Sequence, residues 1–316
     1  MTTRRGFTLV ELLIGMVLLL AVGAVTYQLL VNTQRVTRSQ AQHVGMQDNV
    51  RSGALIVANE LREVGYDQVT ATALPLLQVK FPGSALAAGI NPDLIAIGPD
   101  SITYRAMRGL GFTCQLTAGT SDVVVRNAGA MAWQATRTLT TSDSLMLYVE
   151  SDPSIAGDDM WLTVGLANAP VAQNCPDGTA GIRFRIGIPA ALAITATTAF
   201  NNMIAGGPVR AFEVMQMKSY VSGGKAWLGM RSKSVANTSL EPVLGPLSNG
   251  AGTAQGLVLT YTDASNVVTA VPNNVRSVQV SLRSVSDEVV RTTGRYAAVD
   301  SLTLTTRVAL RNALRP

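Results

Sequence analysis

The chain has 316 residues, room for one large domain or two small ones. Hydrophobic residues make up 47%, charged residues 14% and aromatics 5%, so a core can form and global disorder is excluded. The net charge of +5 is too weak to mark a nucleic-acid binder, which clusters Lys and Arg on one face. The apolar content leans on Ala, Val and Leu beside many Thr and Ser, which suits β-structure better than a helical bundle.

The first element is an apolar helix. Arg4 and Arg5 precede a stretch from Leu12 to Val25 without a charge, and the run continues past Thr26, Tyr27 and Gln28 to Val31. About twenty such residues span roughly 30 Å, the thickness of a bilayer core. Basic residues at the start hold the amino end in the cytoplasm and send the rest outward. Three readings compete: a Sec signal cut near Gly23 or Ala24, a twin-arginine signal, and a retained helix behind a short leader. Glu11 decides between them. A carboxylate near the head of an apolar span costs about 2.5–3.5 kcal/mol on insertion scales. A disposable signal has no use for it, whereas a retained helix does if a cation waits at the same depth.

"RRG" followed by "FTLVELLIGMVLLLAV" resembles the class III signal of type IV pilins and type II secretion pseudopilins. The resemblance implies cleavage by a prepilin peptidase between Gly6 and Phe7, and N-methylation of Phe7. Glu11 then becomes the fifth mature residue, where the family keeps a glutamate that pairs with the terminal amine of an adjacent subunit. Removing residues 1–6 leaves 23 basic and 20 acidic residues, a net charge of +3. One departure is the absence of a proline in "TYQLLVN", where many pilins have one. Gly15 and Gly23 still loosen the helix by about 1 kcal/mol each relative to Ala.

Beyond Val31 the pattern becomes amphipathic. Val36, His43, Met46, Val50, Ala54, Val57, Leu61 and Val64 recur at helical spacing, which predicts one face packed on a soluble domain. Gly65 stands where a helix can end. The helix should run from about Phe7 to Val64, roughly 85 Å if continuous. His43, the lone histidine, is expected as a packed helix residue.

From Asp67 onward the period changes to two, with turn signals between strands. Strands are expected at 93–97, 101–107, 122–127, 144–150, 161–165, 181–187, 209–217, 225–231, 256–262, 275–284 and 301–312. "GLGF" (109–112) reads as a short glycine turn, 248–256 as a loop, and 188–208 as a looser stretch. The helix end "NVRSGALIVANELREVGYD" and the closing "VRSVQVSLRS" and "TTRVALRN" resemble PilW-like minor pilins; residues 75–270 match nothing recognised. The fold class is therefore α+β: a pilin-like long helix packed on an antiparallel sheet with an inserted second lobe. The boundaries are a leader at 1–6, a transmembrane or filament-core helix at 7–31, an amphipathic half at 32–66 and a β-rich head at 67–316. A head this bulky argues against a many-copy major subunit.

Chemistry is sparse. With one histidine and no CxxC pair, a Cys/His metal site or catalytic triad is nearly excluded, and no metal or other cofactor is expected. GxSxG, HExxH and P-loop patterns are missing, so no enzyme is expected. The acidic stretch 150–159 has oxygen ligands but no calcium-loop spacing, and reads as solvated. Cys114 and Cys175 would bond in an exported head and stay as buried thiols otherwise; the bond would add about 4 kcal/mol. Arg276, Arg283, Arg291, Arg295, Arg307, Arg311 and Arg315 read as strand-edge charge, with a DNA-touching face as the rival. The resemblance implies a minor pilin that primes assembly at or near a filament tip. Its partners would be other minor pilins, the major pilin, the prepilin peptidase and the inner membrane. A J-type pseudopilin, and an adhesin or DNA-uptake receptor on a pilin stalk, remain alternatives.

Overall fold

The computed structural model describes residues 8–62, 64, 94–117, 121–149, 160–187, 205–235, 238–286 and 300–310. Within them one α-helix, α1 (Leu9–Arg62), runs 54 residues, about 81 Å at 1.5 Å per residue. No proline interrupts it, and Thr8 starts it. Gly65 lies outside the described residues. The buried stripe is Met46, Val50, Gly53, Ala54, Val57, Ala58 and Leu61, the three-and-four spacing of one helical face. The expected stripe began ten residues earlier. Val36 is in fact 55% exposed, because the head's apolar core covers the helix only from about Met46 onward.

The strands are β1 (Leu94–Ile97), β2 (Ser101–Thr117), β3 (Asp122–Arg126), β4 (Gln134–Ala135), β5 (Ser144–Val149), β6 (Met160–Leu166) and β7 (Val171–Ala172). They continue with β8 (Gly181–Gly187), β9 (Pro208–Ser222), β10 (Lys225–Ser232), β11 (Glu241–Leu247), β12 (Leu257–Thr262), β13 (Ser277–Val285) and β14 (Ser301–Ala309). Every pairing is antiparallel. The chain is thus a long N-terminal helix followed by a large antiparallel β domain.

Two strands organise that domain. β2 and β9 pair along most of their length, from Ser101↔Lys218 to Phe112↔Pro208. The amino-terminal half of β9 also pairs β5 (Leu147↔Val209), β5 pairs β6 (Tyr148↔Trp161) and β6 pairs β8 (Gly165↔Gly187). β8 pairs β3 (Val124↔Arg183), and β3 returns to β2 (Thr117↔Asp122). The circuit β2–β9–β5–β6–β8–β3 closes on itself as a six-stranded ring, which leaves none of these strands a full free edge. Its interior is apolar: Val123, Val125, Leu145, Leu147, Phe184, Ile186 and Val209 are buried together.

The other halves of β2 and β9 carry the ladder onward to β10, β11, β13 and its neighbours β12 and β14. Along β12 and β13 burial alternates with period two, and the inward residues Leu257, Leu259, Val278, Val280 and Leu282 meet Val50, Ala54, Val57 and Leu61 of α1. The head therefore has two cores, one against the helix and one inside the ring.

"GLGF" is not a turn. It lies within β2, where Gly109 and Gly111 are seats for Trp133: a Cβ at either would fall 2.7 or 2.6 Å from the indole. β11 was not expected from the sequence, because Pro242 and Pro246 argue against a strand. It pairs β10 with two register shifts, the irregularity that prolines impose.

Candidate functional site

At the amino end of α1, Thr8 and Glu11 satisfy each other. Glu11 Oε2 accepts from the Thr8 backbone N–H at 2.9 Å and from its hydroxyl at 2.9 Å, and Thr8 Oγ1 accepts from the Glu11 N–H at 3.3 Å. This is a capping box, Thr-x-x-Glu, which gives partners to N–H groups that a helix start leaves open. The signal for it is the four-residue spacing of "TLVE" at the head of the apolar run. Glu11 is thus exposed, at the head of the apolar run, and held by its own chain. Gly6 and Phe7 lie outside the described residues.

From Leu9 to Leu30 the large apolar side chains stand open: Leu9 is 80% exposed, Leu19 74% and Leu29 68%. This part of α1 is long and apolar enough to cross a membrane. Thr26, Thr33 and Thr37 return their hydroxyls to carbonyls one turn back, so they add no unpaired donors.

Where the helix meets the head, polar contacts fix it, among them Asn49 Nδ2 donating to the Gly245 carbonyl at 3.0 Å. His43 Nε2 lies 3.0 Å from Asp300 Oδ2, with His43 half exposed, so it is a surface tie to the β13–β14 hairpin rather than a packed residue. The buried stripe of α1 begins at Met46, so there is no core around His43 to pack into. Higher up, Glu60 Oε2 accepts from Tyr104 Oη at 2.8 Å and from Arg108 Nη2 at 3.1 Å. Arg108 Nε is 3.8 Å from Glu213, and Glu213 accepts from Arg137, which is bidentate to the buried Asp143 at 2.6 and 2.8 Å. The two carboxylates stabilise the cation and push the Arg137 guanidinium further above its already high range. This chain of charges runs from the helix, across β2 and β9, to the mouth of the ring.

Cys114 on β2 and Cys175 before β8 form a disulfide with a Cα–Cα separation of 5.7 Å. It ties the β2–β3–β8 side of the ring. Nearby, Thr179 donates hydroxyl and backbone hydrogen bonds to Asp177, and Arg126 pairs with it at 2.8 Å, which together pull the Asp177 carboxyl down to about 2. Of the arginines near the C-terminus, Arg307 donates to Ser277, Thr262 and Asn266, and Arg283 to Ser301. Arg291, Arg295, Arg311, Arg315 and the acidic stretch 150–159 lie outside the described residues.

The description "prokaryotic N-terminal methylation motif" matches residues 1–27, the segment that carries Glu11 and the start of the exposed helix. Comparison with characterised proteins and with solved structures gives no match. The motif is that of type IV pilin-like and pseudopilin chains, and it implies prepilin peptidase processing and pilin–pilin assembly. An apolar helix under this motif fits anchoring in the inner membrane before assembly.

Proposed function

We propose that this chain is a minor pilin of a type IV pilus, PilW-like, a structural subunit without catalytic activity. It joins other minor pilins through α1, primes assembly and stays at or near the tip. The observation that carries the reading is Glu11, a carboxylate kept at the head of an exposed apolar helix under a methylation motif. In the membrane lipid covers those side chains, but Glu11 still calls for a cation, and once the helix leaves the bilayer for a filament it needs neighbouring helices to cover its apolar faces. The capping box refines the expected pairing: Glu11 meets Thr8 while the chain is alone, and exchanges or shares that contact with the methylated amine of the next subunit.

A J-type pseudopilin would begin in the same way, so the decisive material is the filament itself. Mass spectrometry of sheared pili should find this chain with a methylated Phe7 as its first residue. A terminus near Gly23 or Ala24, or absence from pili, would overturn the reading. Glu11→Val should leave processing intact and reduce incorporation; unchanged incorporation would end the pairing idea. A DNA-uptake role draws less support, since Arg283 and Arg307 spend donors on neighbouring side chains.

A further inference from the structure

The segment between β3 and β5 folds over one mouth of the six-stranded ring. Leu139 of that segment is buried with the ring's core, and Trp133 packs against it. The Trp133 ring lies on Gly109 and Gly111, 5.1 Å from Phe184 and tilted 56° to it. Between Trp133, Leu139, Pro170, Ile182 and Phe184 a cavity of about 350 Å³ remains open to solvent, with Arg137 and Thr138 at its rim. That volume lies in the range of small-ligand pockets, about 300–1,000 Å³, and barrel mouths are a usual place for them.

The chemistry of the walls narrows the occupant. Arg137 is the cation at the rim, but its donors go to Asp143, Glu213 and the Thr138 carbonyl. An anion would therefore find no uncommitted charge there. The Trp133 indole N–H has no hydrogen-bond acceptor among the described residues and is not sealed from solvent. A purely apolar guest would cover the indole N–H without giving it an acceptor, and would leave the exposed Thr138 hydroxyl to water alone. A guest with an apolar face and a hydroxylated edge would satisfy both.

We propose that this cavity binds a neutral sugar ring, its C–H face against the apolar walls and its hydroxyls on the Trp133 N–H and the Thr138 side chain. The site belongs to the distal ring and stands apart from the assembly helix, so it does not depend on the pilin reading. In that setting it would make the head a reader of surface glycans.

Ligand-observed NMR on the detergent-solubilised full chain tests this with methyl glucoside, methyl galactoside and N-acetylglucosamine, against glucuronate and N-acetyl-tyrosinamide. At least one neutral pyranoside should show saturable binding, with a Kd on the order of 1 mM. Ile182→Trp, which fills the cavity with an apolar ring, should weaken it by about tenfold or more, and Thr138→Val by several-fold. An unchanged thermal transition in these variants separates loss of the site from loss of the fold. No saturation by any neutral pyranoside overturns the proposal. So does binding that Ile182→Trp leaves unchanged, or binding of N-acetyl-tyrosinamide alone, which would assign the cavity to a protein side chain.

Discussion

Gly53 sits where the helix touches the head most closely. A Cβ added there would lie 2.1 Å from Leu244 Cδ2, 3.1 Å from Leu244 Cγ and 3.1 Å from Leu282 Cδ1. Leu244 is only 6% exposed and Leu282 fully buried, so neither can swing into open space. Gly53→Ala gains about 0.5–1 kcal/mol of helix propensity. Overpacking costs about 1–3 kcal/mol in a filled core. The 2.1 Å approach places this site toward the upper end, so the net should be a loss of about 1–2 kcal/mol. Gly45 is the matched control: the same helix, an exposed position, and nothing within 4 Å of the added Cβ. Gly45→Ala should raise stability by about 0.5–1 kcal/mol. Denaturant unfolding of the detergent-solubilised chain, with one far-ultraviolet probe for all three proteins, reads both numbers. If Gly53→Ala stabilises as much as Gly45→Ala, the helix and head do not meet at Leu244 and Leu282, and the packing described above is wrong.

Three further outcomes follow from the same contacts. Replacing Cys114 and Cys175 together by Ala opens a loop with a sequence separation of 61 and should cost about 4 kcal/mol, seen as a fall in the denaturant midpoint that reductant reproduces in the parent. Arg137→Ala takes the cation from buried Asp143 and leaves Glu213 with Arg108 at 3.8 Å, and should cost about 3–5 kcal/mol, with Asp143→Asn in the same background returning part of it. Asp177 is ionised more readily in the folded chain than in the unfolded one, so its contribution is present above the unfolded value and lost as pH falls through about 2. Asp177→Asn should flatten the stability profile between roughly pH 4 and 2, and an unchanged profile would show that the Thr179 and Arg126 contacts do not hold the carboxylate.

The sequence by itself determined the helix and most strands, because both depend on local period. The charge-free run fixed the anchor, the three-and-four spacing fixed the buried face of α1 from Met46 upward, and "GIRFRIG" and "KAWLGMRS" alternate well enough to be read as strands. Glu11 stood out for the same reason: a single carboxylate in an apolar run is a local anomaly. What the sequence did not carry was closure. The ring exists because β9 pairs with β2 and β5 at once, contacts across about sixty to a hundred and twenty residues that leave no periodic mark. The glycines of "GLGF" look like a turn until Trp133, more than twenty positions away, is laid on them. Val36 and His43 fit the amphipathic stripe, yet only the position of the head decides how much of that stripe is covered. The local period marks only about half of the long strands β2 and β9, since each changes neighbours midway and its burial pattern changes with them. Local chemistry chose the elements; the bookkeeping of which apolar faces meet was settled by tertiary pairing alone.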